Sequence, residues 1–149
     1  VDLVGPASRL QQTVCVRAFQ ASVGCVNAER GSLLWSRPAD GSRGLDGDER
    51  LVFGVESDGR VIAWQRADGE RAWTSDELRY RGLTAPHVVG RSIAIGDASG
   101  FVHLLSRQDG SLLNRLSTDG SAIVAPPVLV GDTLVVVTRK GNVFGFQPQ

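Results

Sequence analysis

Apolar residues in this chain come in short runs, alternating with polar ones or continuous over four to seven positions, and each run ends at a turn residue. Runs of that length are too short for ordinary helices and suit strands. Thr84 to Leu116 shows the pattern most fully: an apolar run after Pro86, a second run Ser92–Gly96, a glycine turn, Phe101–Ser106, then Asp109-Gly110 and a fourth run, Ser111–Leu116. The same order recurs on either side. A turn residue before one strand stands at Ala21, Gly59, Gly100 and Gly141, in steps of 38, 41 and 41. A glycine before the next strand stands at Gly31, Gly69 and Gly110, in steps of 38 and 41, and Trp35, Trp73 and Asn114 each follow it by four residues. Two landmarks that drift together define an internal repeat.

The strands predicted in copy one are Thr13–Phe19, Ser22–Asn27 and Ser32–Ser36, after an innermost strand within Val1–Leu10. Copy two has Arg50–Glu56, Arg60–Gln65 and Glu70–Thr74; copy four has Ile123–Val130, Thr133–Thr138 and Asn142–Phe146. Four antiparallel strands per period of about 40 residues are the blade of a β-propeller. The expected fold is therefore all-β, a propeller fragment of about four four-stranded antiparallel blades at 1–38, 39–78, 79–118 and 119–149. Ser75–Arg79 is the one helix-like segment, with a Ser-Asp-Glu start that suits a single turn. Copies one to three end in an outer strand after their glycine, whereas copy four stops after its third, so the last blade lacks its outer strand. That predicts unpaired edges, hence a piece of a longer propeller or a chain that self-associates through open blade edges.

Bulk properties narrow the function. Sixteen Lys+Arg balance sixteen Asp+Glu over 149 residues, which argues against a nucleic-acid partner and offers no polybasic membrane anchor. No apolar run approaches the roughly 18 residues of a membrane span, and the basic-then-apolar layout of an export signal is absent from the start. The abundance of Gly, 18 residues, agrees with many tight turns.

The pieces VNAERGSLLW and QRADGERAW resemble pyrroloquinoline-quinone-type propeller repeats, in which strand, Gly turn and strand are followed by Gly, three residues and Trp. The run RLVFGVESDGRVIAWQRADGERAWTSDEL with LTAP, then GDASGFVHLLSRQDG and the terminal PPVLVGDTLVVVTRKGNVFGF, is similar to the C-terminal half of the BamB family of outer-membrane assembly factors. The resemblance implies half of an eight-bladed propeller from a lipoprotein on the periplasmic side of the outer membrane, its lipid anchor lying in the family's N-terminal part. It implies a scaffold with no catalytic activity and no cofactor. The implied partners are the periplasmic domains of BamA, other subunits of the assembly complex and nascent outer-membrane proteins. In the family, acidic residues before an inner-strand Pro help dock BamA. Asp2 matches the first of them, while Val4 stands where the second would be.

Two cysteines, Cys15 and Cys25, lie ten apart across the first hairpin. A two-residue turn would place Cys15 opposite Val26 with the sulfurs on opposite faces. A three-residue loop with Ala21 at the bulge position would set Cys15 opposite Cys25, and an exported protein meets an oxidising compartment in which such a pair closes. With no third or fourth ligand near them, metal binding is not expected. Trp35 and Trp73, at identical repeat positions, are expected to pack between adjacent blades, with Asn114 making a weaker third contact. Trp64 stands elsewhere in its repeat and is expected to be partly exposed. His87 and His103 read as structural or surface residues: no G-x-S-x-G elbow or Ser-His-Asp order accompanies them. Asp40, Asp58, Asp68, Asp109 and Asp119 read as turn residues. A quinone-dependent dehydrogenase is the competing class, and the calcium-liganding cluster and adjacent cysteines it uses have no counterpart in the sequence.

Overall fold

The computed structural model describes residues 3–10 and 12–147, with the backbone alone at Pro6. Among the described residues there are fifteen strands and no helix. Two compact units divide the chain, Val1–Arg79 and Tyr80–Gln149. The first holds two four-stranded sheets. Strands β1 (Leu3–Leu10), β2 (Thr13–Ala18), β3 (Ser22–Asn27) and β4 (Leu33–Pro38) form one, and β5 (Asp46–Gly47), β6 (Leu51–Val55), β7 (Val61–Gln65) and β8 (Arg71–Ser75) the other. The second unit holds a four-stranded sheet of β9 (His87–Val89), β10 (Ser92–Gly96), β11 (Phe101–Ser106) and β12 (Leu112–Ser117). Its other sheet has three strands, β13 (Val128–Val130), β14 (Thr133–Val137) and β15 (Val143–Phe146). Every sheet is an antiparallel meander in chain order, the blade of a propeller.

Turn chemistry sets the register. Asp58, Asp68, Asp109 and Asp119 each accept the backbone N–H of the residue two positions on, which fixes the bend before the chain re-enters the sheet. Gly100 has φ +87° and its α-carbon faces Thr118 and Ser121, so a side chain there would meet both strain and a clash. The first hairpin is a three-residue loop, with Ala18 paired to Ser22 and Cys15 to Cys25. Its left-handed residue is Gln20, φ 49°, rather than Ala21. The outer strands of the first three sheets each carry a register shift next to their central position.

Two local expectations fail for identifiable reasons. Ile123–Val130 is strand only at Val128–Val130, with an isolated bridge from Ile123 to Thr138; Pro126 and Pro127, between the two, have no N–H to donate to a ladder. Ser75–Arg79 forms no helix: β8 runs through Ser75, a turn follows at 77–80, and Leu78 is buried there at 1% exposure.

Candidate functional site

The chemistry-bearing side chains of this molecule gather where one sheet stacks on the next. In the first unit, one face of the β1–β4 sheet presents Cys15, Val23, Cys25 and Trp35. They form a core cluster with Leu45, Val52, Ile62 and Trp64 of the segment that builds the β5–β8 sheet. The Trp35 indole donates to the carbonyl of Arg66 at 2.7 Å and lies against Gly69, where any β-carbon would overlap the ring. The glycine of the second copy is thus the seat for the tryptophan of the first.

Polar clasps flank this apolar joint. Arg17, fully buried on β2, pairs with Glu56 at 3.2 Å and also donates to the carbonyls of Arg43 and Val55. Burial pushes its guanidinium pKa below the ordinary value, and the Glu56 carboxylate pulls it back up. The second oxygen of Glu56 accepts the N–H of Asp40, so both carboxylate oxygens are engaged. At another edge Arg66 donates to the Ser8 hydroxyl, to Cys15 Sγ at 3.3 Å and to the carbonyl of Asp48. Each sheet thereby sends one arginine onto polar groups of the other.

The second unit uses a different joint. Val89, Ala94, Val102 and Leu104 of the β9–β12 sheet pack with Ile123 against Leu134 and Val136, and Leu116, Phe144 and Phe146 close the rim. Its polar fastening lies at the connecting loop. Asp119 accepts from Ser121, from the Thr138 hydroxyl at 2.7 Å and from the Asn142 amide at 2.7 Å, and these donors hold its carboxyl far below the usual carboxylate range. Asp97, fully buried, accepts the backbone N–H of Ser99 and Phe101, lies 2.8 Å from His103 Nε2 and has Arg81 3.7 Å away.

Set against the candidates from the sequence, Cys15 and Cys25 are joined by a disulfide. Trp35 lies in the joint, whereas Trp73 is half-buried and its ring meets Phe53 of its own sheet at 5.9 Å. Trp64 corrects the sequence reading: it is 1% exposed, because its β7 position, paired with Val52, points into the joint. His103 is buried on Asp97 and His87 is half-buried on β9. Asp2 lies outside the described residues. Among the described residues no group of three or more His, Cys, Asp or Glu is placed to hold a metal ion. Sequence reasoning missed Arg17, Glu56, Arg66 and Asp97. For Arg17 a signal existed, since it shares a strand face with Cys15 two positions away, and a charge on a core face requires a buried partner.

Four-stranded meander sheets of a repeat near 40 residues that carries a Gly-x3-Trp pattern, Trp35 being seated on Gly69 of the next copy, define a β-propeller of the quinone-type repeat class. The family model described as outer membrane protein assembly factor BamB matches residues 1–75. The chain belongs to that family. It is 40% identical over 99% of its length to the BamB of Burkholderia pseudomallei and 34% identical over 95% to that of Bordetella pertussis, spanning 39% and 37% of those proteins. The crystal structure of BamB from Moraxella catarrhalis superposes with a TM-score of 0.89 at 28% identity, over 96% of this chain and 42% of that one. The chain therefore spans about two-fifths of the relatives it matches.

Proposed function

We propose that this chain is part of a non-enzymatic scaffold for outer-membrane β-barrel assembly, acting on the periplasmic side of the outer membrane in a lipid-anchored protein. It would dock the periplasmic domains of BamA, join other subunits of the assembly complex and meet nascent outer-membrane proteins. Membership of the BamB family carries the reading, since a propeller fold alone hosts many functions. The Cys15–Cys25 disulfide supports it, as such bonds persist in oxidising compartments such as the periplasm. The stacked joints support it too: clasps at Arg17 and Arg66 hold the sheets rigid, so the loops between strands form a preorganised surface for a partner. Asp2 is the proposed contact of this chain with BamA, by its place before Pro6 in the sequence. The test is titration of the full-length protein with purified BamA periplasmic domains. Binding that weakens on Asp2→Lys is expected, and full-length protein that does not bind overturns the proposal.

A further inference from the structure

One row of side chains crosses the strands of the first sheet. Strand pairing sets Ser8 opposite Cys15, Cys15 opposite Cys25 and Cys25 opposite Trp35. The disulfide joins the middle two, and neither cysteine has any exposure. Arg66, which follows β7 in the second sheet, reaches along this row. Its guanidinium donates to Ser8 Oγ and Cys15 Sγ, and its carbonyl accepts the indole N–H of Trp35. One residue of the second repeat copy thus holds both ends of the row and spans the bond between them.

The two sulfurs have unlike surroundings. Arg66 is 6% exposed, and a side chain at Gly47 would collide with its Nη2, so the guanidinium is closely walled. The carboxylates of Asp48 and Asp46 attract it. The acceptors that it hydrogen-bonds are the Asp48 carbonyl, the Ser8 hydroxyl and Cys15 Sγ, none of them formally charged. A desolvated guanidinium gains most from a hydrogen-bonded anion. Of the three, Cys15 is the one that becomes an anion, as a thiolate once the bond is reduced. Among the described residues no donor reaches Cys25 Sγ, and Cys25 packs with Val23, Trp35 and Ile62 in the apolar cluster. Apolar surroundings keep a thiol protonated.

Access differs as well. Trp35 stands on the side of Cys25 away from Cys15, the side from which an in-line attack on Cys25 comes. It belongs to the outer strand β4, whose other residues are exposed and whose pairing with β3 shifts register beside Cys25. Such an edge opens more readily than the strands it covers. Cys15 lies between β1 and β3, under the guanidinium.

We propose that Cys15–Cys25 is a thiol-exchangeable bond of fixed polarity, in which Trp35 is the gate, Cys25 the sulfur attacked, Cys15 the leaving thiolate and Arg66 the group that holds it. The reductant is a dithiol of the thiol–disulfide oxidoreductase class. One thiol of the dithiol loses its proton to solvent and attacks Cys25 Sγ; the Sγ–Sγ bond breaks and its electron pair leaves on Cys15 Sγ. The second thiol then attacks the reductant's own sulfur in the mixed disulfide, and Cys25 leaves with the proton of that thiol. The dithiol ends as a disulfide, and the cysteine pair has gained two electrons. A sulfur that departs as a stabilised thiolate departs faster, which directs the attack to Cys25.

The test maps the mixed disulfide formed with a monothiol. Folded full-length protein is incubated with excess glutathione, quenched in acid and digested for peptide mass analysis. The adduct is expected on Cys25 over Cys15 by about tenfold or more. In Trp35→Phe, which lacks the N–H that the Arg66 carbonyl accepts, the adduct is expected to form faster at the same sulfur. In Arg66→Met the preference is expected to fall toward parity, and in Arg66→Lys, which keeps the charge, to be retained in part. An adduct mainly on Cys15, or evenly on both cysteines of the parent, overturns the proposal. So does a bond that glutathione opens in urea and never in the folded protein. A preference that survives Arg66→Met in a chain with the parent's near-ultraviolet spectrum overturns the part assigned to Arg66.

Discussion

The two units solve one packing problem with different chemistry. Both stack sheet on sheet. The first fastens its joint with a tryptophan seated on a glycine and two buried arginines, and a disulfide braces one of its two sheets. The second relies on Leu, Val and Phe, with its polar fastening moved out to Asp119 in the connecting loop. Apolar packing is non-directional and tolerates small shifts of one sheet over another. A buried ion pair whose two carboxylate oxygens are both hydrogen-bonded tolerates almost none, because any shift leaves a desolvated charge unpaired. The first joint should therefore be the more exact of the two in register and the more brittle to single changes.

The sharpest way to break the contrast is to remove Glu56. Glu56→Ala strands Arg17 in a fully buried site, and the loss of one partner of such a pair costs about 3–5 kcal/mol. Urea unfolding followed by amide exchange should show protection falling in Val1–Arg79 first. Replacing both partners together, Arg17→Met with Glu56→Leu, should recover most of the loss, since no charge is then left unpaired. Recovery that fails would mean the pair holds the joint by more than mutual neutralisation. In the second unit the matching experiment is Leu134→Ala, which opens a cavity at a residue with no exposure; about 3 kcal/mol is expected, and no second substitution of a polar group should rescue it.

Reducing the Cys15–Cys25 bond comes next in size. Its closed loop is short, with a sequence separation of 10, and loop-entropy arithmetic gives roughly 2–3 kcal/mol. The loss should be read in exchange of the first unit's amides and should leave Leu104 and Leu134 amides unchanged. Equal loss in both units would end the view of two separately fastened joints.

Legibility in the sequence follows the same division. Strands, hairpin turns and the repeat were readable because they depend on local patterning: Asp58-Gly59 and Asp109-Gly110 bend the chain by their own chemistry. Trp35 was readable because its spacing from Gly31 recurs at Gly69 and Trp73. Arg17 with Glu56 and Arg66 with Ser8 were not, because 39 and 58 residues separate the partners. They meet only once two sheets are stacked in one particular register. The burial of Trp64 is hidden from the sequence for a related reason. A position off the repeat's tryptophan column says nothing about exposure when the sheet is covered on that face. The β13 strand is shorter than its apolar run suggests because Pro126 and Pro127 lack the N–H donors that a ladder needs.

The smallest expected effect is a pH dependence in the second unit alone. Burial pushes the His103 pKa below its ordinary value, and the hydrogen bond and charge of Asp97 pull it back only in part, with Arg81 and Arg115 adding to the depression. The folded chain then binds fewer protons than the unfolded chain near the ordinary histidine pKa of about 6.5. Stability is complete above that pH and falls as the pH drops through it toward the folded value. Asp58, Asp109 and Asp119, all held below the usual carboxylate range, lose their contributions only at lower pH. A window from pH 7.5 to 5.5 therefore isolates the histidine. Protection of amides in β10 and β11 should decrease across it in the parent. In His103→Gln, which keeps a donor toward Asp97 but has no titrating group, the decrease should vanish. A parent whose second unit gains protection on acidification would reverse the sign, showing that the Asp97 contact outweighs burial and that the buried pair is held as an ion pair.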